Sequence, residues 1–296
     1  MKFAAIDIGS NAIRLLIEEV RRNGEEYLIE KVSLTRVPVR LGDDVFVKGK
    51  IPKSKAEQLI KTMKAFWYLM DVHQVEYFMA CATSAFREAD NRAEVVARVK
   101  REANIPIHIL TGRQEADFIF SNFKAQNISK TGNYLYIDVG GGSTEITLIS
   151  KGKRIKSRSF NIGTVRSLYG KVKSGEWNKA VEFVRNAKQA RTTLIAMGTG
   201  GNINTLHKMA GKKPSEMLTY TEIAGQAALL SSYSYEERIA RLRLKPDRAD
   251  VIVPAAEIYL RLMKAARINN MLVPKIGLSD GIILDLFRQW QDRIIE

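Results

Sequence analysis

A mixed α/β fold built from two copies of one domain is what this sequence predicts, and three observations carry the prediction. An apolar run over residues 2–8 contains Asp7 near its end, passes through the small-residue turn Gly9-Ser10-Asn11 and resumes as a second strand over 12–20. The same design returns roughly 130 residues later. There an apolar run ends on Asp138, Gly140, Gly141 and Gly142 make the turn, and an alternating apolar/polar run starts at Thr144. Finally, each hairpin is followed by a third strand, over 27–35 and 153–160, and then by segments of helical period.

In the first copy, RRNGEE at 21–26 reads as a hydrophilic turn and 41–52 as an irregular, Gly-containing connection. Residues 53–71 place Ala56, Leu59, Ile60, Met63, Phe66, Trp67 and Met70 at helical spacing, a stripe that belongs to a core. A strand over 77–82 runs into Thr83-Ser84-Ala85-Phe86-Arg87, and a helix over 92–102 with a strand over 105–110 completes a β-α-β unit. Gly112 then precedes a helix with Glu115 in its first turn, where a carboxylate complements the helix dipole.

In the second copy, helices are expected over 164–168 and 176–189. A short strand over 194–197 ends in Gly198-Thr199-Gly200-Gly201-Asn202, from which a helix over 203–209 departs. Helices over 221–231, 235–241 and 248–266 follow, then a strand over 271–276. The last helix carries Ile282, Ile283, Leu286 and Trp290 on one face. The expected domains are 1–126 and 127–296, with the C-terminal helix able to pack back on the first.

Composition narrows the class. The 296 residues, 45% of them apolar, can build two ordinary cores. No apolar stretch reaches the length of a membrane span, and the N-terminus enters an amphipathic strand rather than a signal peptide. A cytoplasmic protein without a membrane partner is expected. The single cysteine, Cys81, excludes an internal disulfide and lies in an apolar run, as a buried bystander would. His73, His108 and His207 are scattered, without metal-ligand spacing.

Charge is uneven. Residues 1–120 hold 19 Lys and Arg against 17 Asp and Glu, whereas residues 121–296 hold 28 against 15. Between Glu145 and Glu176 there is no acidic residue, while Lys151, Lys153, Arg154, Lys156, Arg158, Arg166, Lys171 and Lys173 all fall there. Such a run reads either as a solvated face or as a surface for a polyanionic ligand.

The chemistry concentrates at the second hairpin. Three consecutive glycines let a ligand approach bare backbone, and their N–H groups, with the hydroxyls of Ser143 and Thr144, suit phosphate oxygens. Asp138 and Glu145 bring two carboxylates to the rim of that turn, and oxygen ligands beside phosphate suggest Mg²⁺ or another divalent cation. An ordinary glycine-rich hairpin remains the alternative. Thr83, Ser84 and Arg87 offer a further phosphate site, with Arg87 paired to a nearby carboxylate as the competing reading. By local sequence alone, Glu115 reads as a helix-dipole residue.

Seven stretches then resemble one family in order along nearly the whole chain: AAIDIGSNAIRLLI (4–17), ATSAFREADN (82–91), TGRQEADFIF (111–120), YIDVGGGSTEIT (136–147), MGTGGNINTL (197–206), PDRADVIVPAAEI (246–258) and GLSDGIILD (277–285). The sequence is similar to the exopolyphosphatase/guanosine pentaphosphate phosphatase (Ppx/GppA) family, within the actin-like ATPase superfamily. The resemblance implies two duplicated actin-like (ribonuclease H-like) domains with a cleft between them. It implies hydrolysis of terminal phosphoanhydrides, with inorganic polyphosphate as substrate and guanosine pentaphosphate as the alternative. A non-catalytic polyphosphate or alarmone sensor, and a kinase of the same superfamily, remain as other readings. Nucleic acid is not expected as a partner, and a homodimer is left open.

Carried over by residue, the resemblance implies Glu115 as the catalytic carboxylate that activates or orients water. It implies Asp138 and Glu145, with Asp7, on the metal side, and Ser10, Asn11, Gly140, Gly141, Gly142 and Ser143 as the phosphate cradle, with Arg87 holding a phosphoryl group. Three departures stand out. Ala12 replaces a second serine, Ser279-Asp280 replaces an Arg-Glu pair, and the helical C-terminal domains of longer relatives, with their HD-type module, are not seen in these 296 residues.

Overall fold

A computed structural model describes residues 1–24, 26–125, 128–129, 131–189 and 193–295. The chain divides into two compact units, Met1–Ala125 together with Gly277–Glu296, and Gln126–Ile276. The expected boundary between 126 and 127 lies outside the described residues. The second unit ends at Ile276 rather than at 296, because the last helix belongs to the first unit.

In the first unit, β1 (Lys2–Ile8), β2 (Ile13–Asn23) and β3 (Glu26–Val37) form an antiparallel meander. Helices α1 (Leu41–Lys48) and α2 (Lys53–Val72) lead to β4 (Tyr77–Ala82), and α3 (Ser84–Glu88) and α4 (Arg92–Ala103) lead to β5 (Ile107–Ile109). Strands β4 and β5 continue the sheet in parallel from β1, giving the order β3-β2-β1-β4-β5. The unit's first segment closes with α5 (Gly112–Ala125). The central position of β1 explains why all of it after Lys2 is buried.

Helix α1 replaces the irregular connection expected over 41–52. Arg40, in the left-handed region at φ 57°, grips Asp43 through two bonds of 2.6 and 3.1 Å. Gly49, at φ 75°, ends the helix by returning its N–H to the carbonyl of Val45. An eight-residue helix held by its ends leaves little periodic signal. The turn expected over 21–26 is also narrower, since β2 runs on to Asn23 and β3 begins at Glu26.

The second unit repeats the pattern. Strands β6 (Asn133–Val139), β7 (Thr144–Ser150) and β8 (Lys153–Phe160) form the meander. After them come α6 (Thr164–Leu168), α7 (Ser174–Gln189), β9 (Ile195–Thr199), α8 (Gly201–Met209), β10 (Leu218–Thr219), α9 (Tyr220–Ser232) and α10 (Tyr235–Ala240). Next are α11 (Pro246–Ala249), α12 (Ile252–Ala266) and β11 (Asn270–Leu272). Strands β9 and β11 extend the sheet in parallel from β6, and the order is β10-β11-β9-β6-β7-β8. Both sheets even carry an irregularity at the same place in their second strand, between Ile17 and Glu18 and between Leu148 and Ile149.

The helix expected over 248–266 is two helices. Pro246 occupies the first turn of α11, and α12 starts afresh with a buried stripe of Ile252, Ala255, Ala256, Ile258, Tyr259, Leu262, Met263 and Ala266. That stripe packs into the core of the second unit with Leu135, Ile137, Ile203 and Met271. In the first unit, α13 (Leu278–Ile295) sets Ile282, Ile283 and Phe287 against Phe3, Ala5, Leu16 and Cys81. Gly281 permits this, since a Cβ there would collide with the backbone of Phe118 on α5.

Candidate functional site

The described residues place the expected site residues in two sets, one in each unit. In the first, Gly9 donates to the carbonyl of Ala12 at 3.1 Å and closes the β1–β2 turn. The carbonyls of Ser10 and Asn11 accept from Gly42 and Arg40, which knits the turn to the start of α1. The Ser10 hydroxyl lies 2.9 Å from that of Ser84, at the first residue of α3, with both residues buried. Asp7 pairs across the hairpin with Arg14, whose guanidinium donates to Oδ2 at 2.8 Å. Burial pushes the Asp7 carboxyl up, and Arg14 opposes that shift.

Arg87 and Glu115 meet directly. One nitrogen of Arg87 donates to the Leu110 carbonyl at 2.6 Å and to Glu115 Oε2 at 2.7 Å. Glu115 sits in the first turn of α5, behind a cap in which the Thr111 hydroxyl accepts from Gln114 N–H while the Gln114 side chain accepts from Thr111 N–H. Both readings of Arg87 therefore concern one place: the arginine is paired to a carboxylate, and that carboxylate is Glu115. Buried and anchored at a helix start, Glu115 is held in one position rather than displayed to solvent.

In the second set, the glycine turn is fixed by its carbonyls. Gly140 N–H donates to Ser143 O at 2.9 Å. The carbonyl of Gly140 accepts from Thr164, that of Gly141 from Val165 and Arg166, and that of Gly142 from Arg166 Nε at 2.8 Å. Gly163 brings α6 close enough for this, because a Cβ there would collide with the backbone of Gly141 and Gly142. Among the described residues, the N–H groups of Gly141, Gly142 and Ser143 have no acceptor. Three successive donors without acceptors are the kind of backbone that suits an anion.

Asp138 and Glu145 are paired directly across β6 and β7, so their carboxylates stand on one face. Glu145 is buried and accepts from the Ser159 hydroxyl at 2.8 Å. On the other side of Asp138, its parallel partner Thr199 has a fully buried hydroxyl oxygen with no hydrogen-bond partner among the described residues. The Gly200 backbone approaches closely too, since a Cβ there would lie 3.3 Å from Asp138 Oδ1. Tyr259 donates to the Thr199 carbonyl at 2.7 Å, and its phenol is raised well above its ordinary value by burial and by Asp138. Two carboxylates and an orphaned hydroxyl are hard oxygen donors of the kind Mg²⁺ takes. Among the described residues no three His, Cys, Asp or Glu side chains converge, so a cation here would complete its shell with water and substrate oxygens.

The basic run after Glu145 is not one surface. Arg166 is buried beneath the glycine turn, a role hidden from the sequence because its target lies 24 residues back. Lys156 and Arg158 lie over the rings of Phe183 and Phe160, at 5.4 and 5.3 Å. They stand on β8, an edge strand, where cations also discourage pairing with another sheet. Thr199 and Gly200 belong to a glycine-rich turn that the sequence marked without assigning its hydroxyl. Cys81 is buried with its thiol pushed up to about 12 by burial, then by Asp7, which leaves it inert. No helix among the described residues is long and apolar enough to cross a membrane.

Comparison with known proteins joins these observations. Exopolyphosphatase 1 of Mycobacterium tuberculosis is 26% identical over 310 residues, covering 96% of this chain and 88% of that protein. Guanosine-5'-triphosphate,3'-diphosphate pyrophosphatase of Aeromonas salmonicida is 24% identical over 304 residues, covering 96% of this chain and 59% of that protein. The crystal structure of the Aquifex aeolicus Ppx/GppA family member aligns with a TM-score of 0.77 and 26% identity, covering 98% of each chain. The duplicated α/β units thus have the actin-like fold of that group. A profile of the Ppx/GppA phosphatase family matches residues 19–289, and the chain belongs to that family.

Proposed function

We propose that the chain is an exopolyphosphatase, a hydrolase that releases terminal phosphate from inorganic polyphosphate. The observation that carries this reading is the Gly140–Ser143 turn, whose carbonyls are consumed by the protein while three consecutive N–H groups remain for a phosphate. The named exopolyphosphatase relative, matched along most of its length, supports polyphosphate over the guanosine nucleotide.

The roles divide between the units. The second binds: Gly141, Gly142 and Ser143 donate to the terminal phosphoryl oxygens, and Arg166 keeps the turn from relaxing. Asp138 and Glu145, with the Thr199 hydroxyl, would hold a divalent cation; Asp7, at the matching place in the first hairpin, is paired with Arg14. Bound there, the cation would neutralise charge on the phosphate oxygens. The first unit orients: Glu115 accepts a hydrogen bond from the attacking water and takes its proton as the phosphorus–oxygen bond to the leaving chain breaks. Arg87 fixes Glu115 and offers its remaining N–H groups to phosphate. Ser10 and Asn11 complete the contacts from the β1–β2 turn. Because the transferred group carries its charge on peripheral oxygens, catalysis here is positioning and electrostatic complementarity.

The test is phosphate release from polyphosphate and from guanosine pentaphosphate, alongside phosphate transfer from ATP. Polyphosphate should give the highest kcat/KM. Preference for the guanosine nucleotide would move the chain to that branch of the family. Binding of polyphosphate with no turnover of any of the three would make it a sensor.

A further inference from the structure

The second unit carries a concentration of positive charge that the glycine turn does not use. Residues 126–276 hold 25 Lys and Arg against 11 Asp and Glu, nearly all of the chain's net +15. Between α7 and α12 lies a groove of about 840 Å³ lined by Asn178, Val181, Arg185, Arg261, Lys264, Ala265 and Arg267. Among the described residues none of the four cations has an ion-pair partner. Arg261 lies over the indole of Trp177, 4.1 Å from the ring centroid, so its guanidinium is held in place before any ligand arrives.

Helix electrostatics explain part of this charge and leave the rest. Lys264 and Arg267 stand at the C-terminal end of α12, where cations complement the dipole. Arg185 lies well inside α7, and Arg261 lies before the last turn of α12. The groove positions on α7, from Asn178 to Arg185, extend over about 10 Å at the helical rise. The charges therefore form a track rather than a point, which suits a ligand with repeated negative charge.

The far end of the groove, at Arg267, also stands away from the turn at Gly200 and Gly201. Arg248, just before α12, reaches Thr205 at 3.1 Å and occupies the space beside Gly201. From there to Arg267 the chain runs the full length of α12, about 22 Å at 1.5 Å per residue. A single phosphate group cannot touch both ends. We propose that the groove between α7 and α12 is a second anion site, which takes the internal phosphates of an inorganic polyphosphate chain. This rests on the substrate reading above.

The experiment compares the full chain with Arg185→Gln/Arg261→Gln, using long-chain polyphosphate and tripolyphosphate as probes. Binding is measured with a chelator present so that nothing turns over, and hydrolysis is measured separately with Mg²⁺. The double variant should bind the long chain about tenfold more weakly, with a salt slope smaller by about 1.4, taking about 0.7 per lost phosphate contact by analogy with single-stranded nucleic acid. Its turnover of tripolyphosphate should be unchanged, and Arg185→Lys/Arg261→Lys should restore the slope. A double variant that melts normally yet binds the long chain as the wild type does, at the same slope, overturns the groove site. So does equal weakening for both probes. If the wild type hydrolyses polyphosphate and the variant is indistinguishable, the groove fails while the substrate reading stands. If the wild type binds polyphosphate through these arginines without hydrolysing it, the groove stands and the substrate reading fails.

Discussion

The two hairpins share a backbone and differ in charge. In β1–β2, Asp7 faces Arg14; in β6–β7, Asp138 at the matching position faces Glu145. The first aspartate is neutralised within its own hairpin, at 2.8 Å. The second stands beside another carboxylate, an arrangement that costs free energy unless a cation or proton joins it. Duplication has thus kept the frame while the chemistry has separated. One copy sets its aspartate against a cation, and the other sets it against a second carboxylate. A similar contrast appears at the shared irregularity, where Glu18 in the first copy occupies the place of Ile149 in the second.

The largest expected effect falls on the first copy. Glu115→Gln keeps the shape and the contact with Arg87 but removes the proton acceptor, so kcat should fall about 10²–10⁴-fold with KM nearly unchanged. Steady-state phosphate release checks this; wild-type kcat would remove Glu115 from the chemistry.

Next comes Glu18, whose carboxyl is raised from 4.5 to about 7, chiefly by burial, then by Asp280, with Lys31 opposing. Between those values the folded chain keeps a proton that the unfolded chain has lost. Stability should therefore fall as pH rises from 4.5 to about 7 and the penalty should be complete above it, reaching up to about 3 kcal/mol. Glu18→Gln should flatten that dependence in urea melts at pH 5 and pH 8. An unchanged slope would show that Glu18 is not its source.

A smaller effect is expected at Arg14. Arg14→Gln strips the partner from a buried carboxylate and should cost about 2 kcal/mol, less than a fully buried pair because the arginine is partly exposed. Its Mg²⁺ requirement should not move. Asp138→Asn and Glu145→Gln should do the reverse, raising the Mg²⁺ concentration for half-maximal activity by about tenfold with little change in stability. Titration of activity against Mg²⁺, with thermal melts of all three variants, separates the hairpins. If all three respond alike, the contrast between them has no functional content.

The hairpins were legible because each needs only local information: an apolar run, a turn that tolerates bare backbone, and an alternating strand. A tight turn flanked by two strands puts Asp138 and Glu145 at one rim, so their meeting was readable from sequence spacing alone. The contact between Arg87 and Glu115 was not, because it depends on β4 and β5 lying parallel and bringing α3 to the start of α5. Arg166 was misplaced for a related reason. Its sequence neighbours are surface cations, and only the close approach at Gly163 turns it under the cradle. Helix α1 and the break between α11 and α12 escaped because end contacts and a proline, rather than periodicity, define them.

One further consequence lies in the order of manufacture. The ribosome delivers β1 to α5 before the second unit, yet Leu278, Ile282, Ile283 and Phe287, which close the core over Phe3 and Ala5, come after it. The second unit is a single uninterrupted segment and can finish folding once Ile276 has emerged. The portion translated earlier therefore waits, with its apolar sheet face uncovered, until Leu278 to Phe287 have been translated.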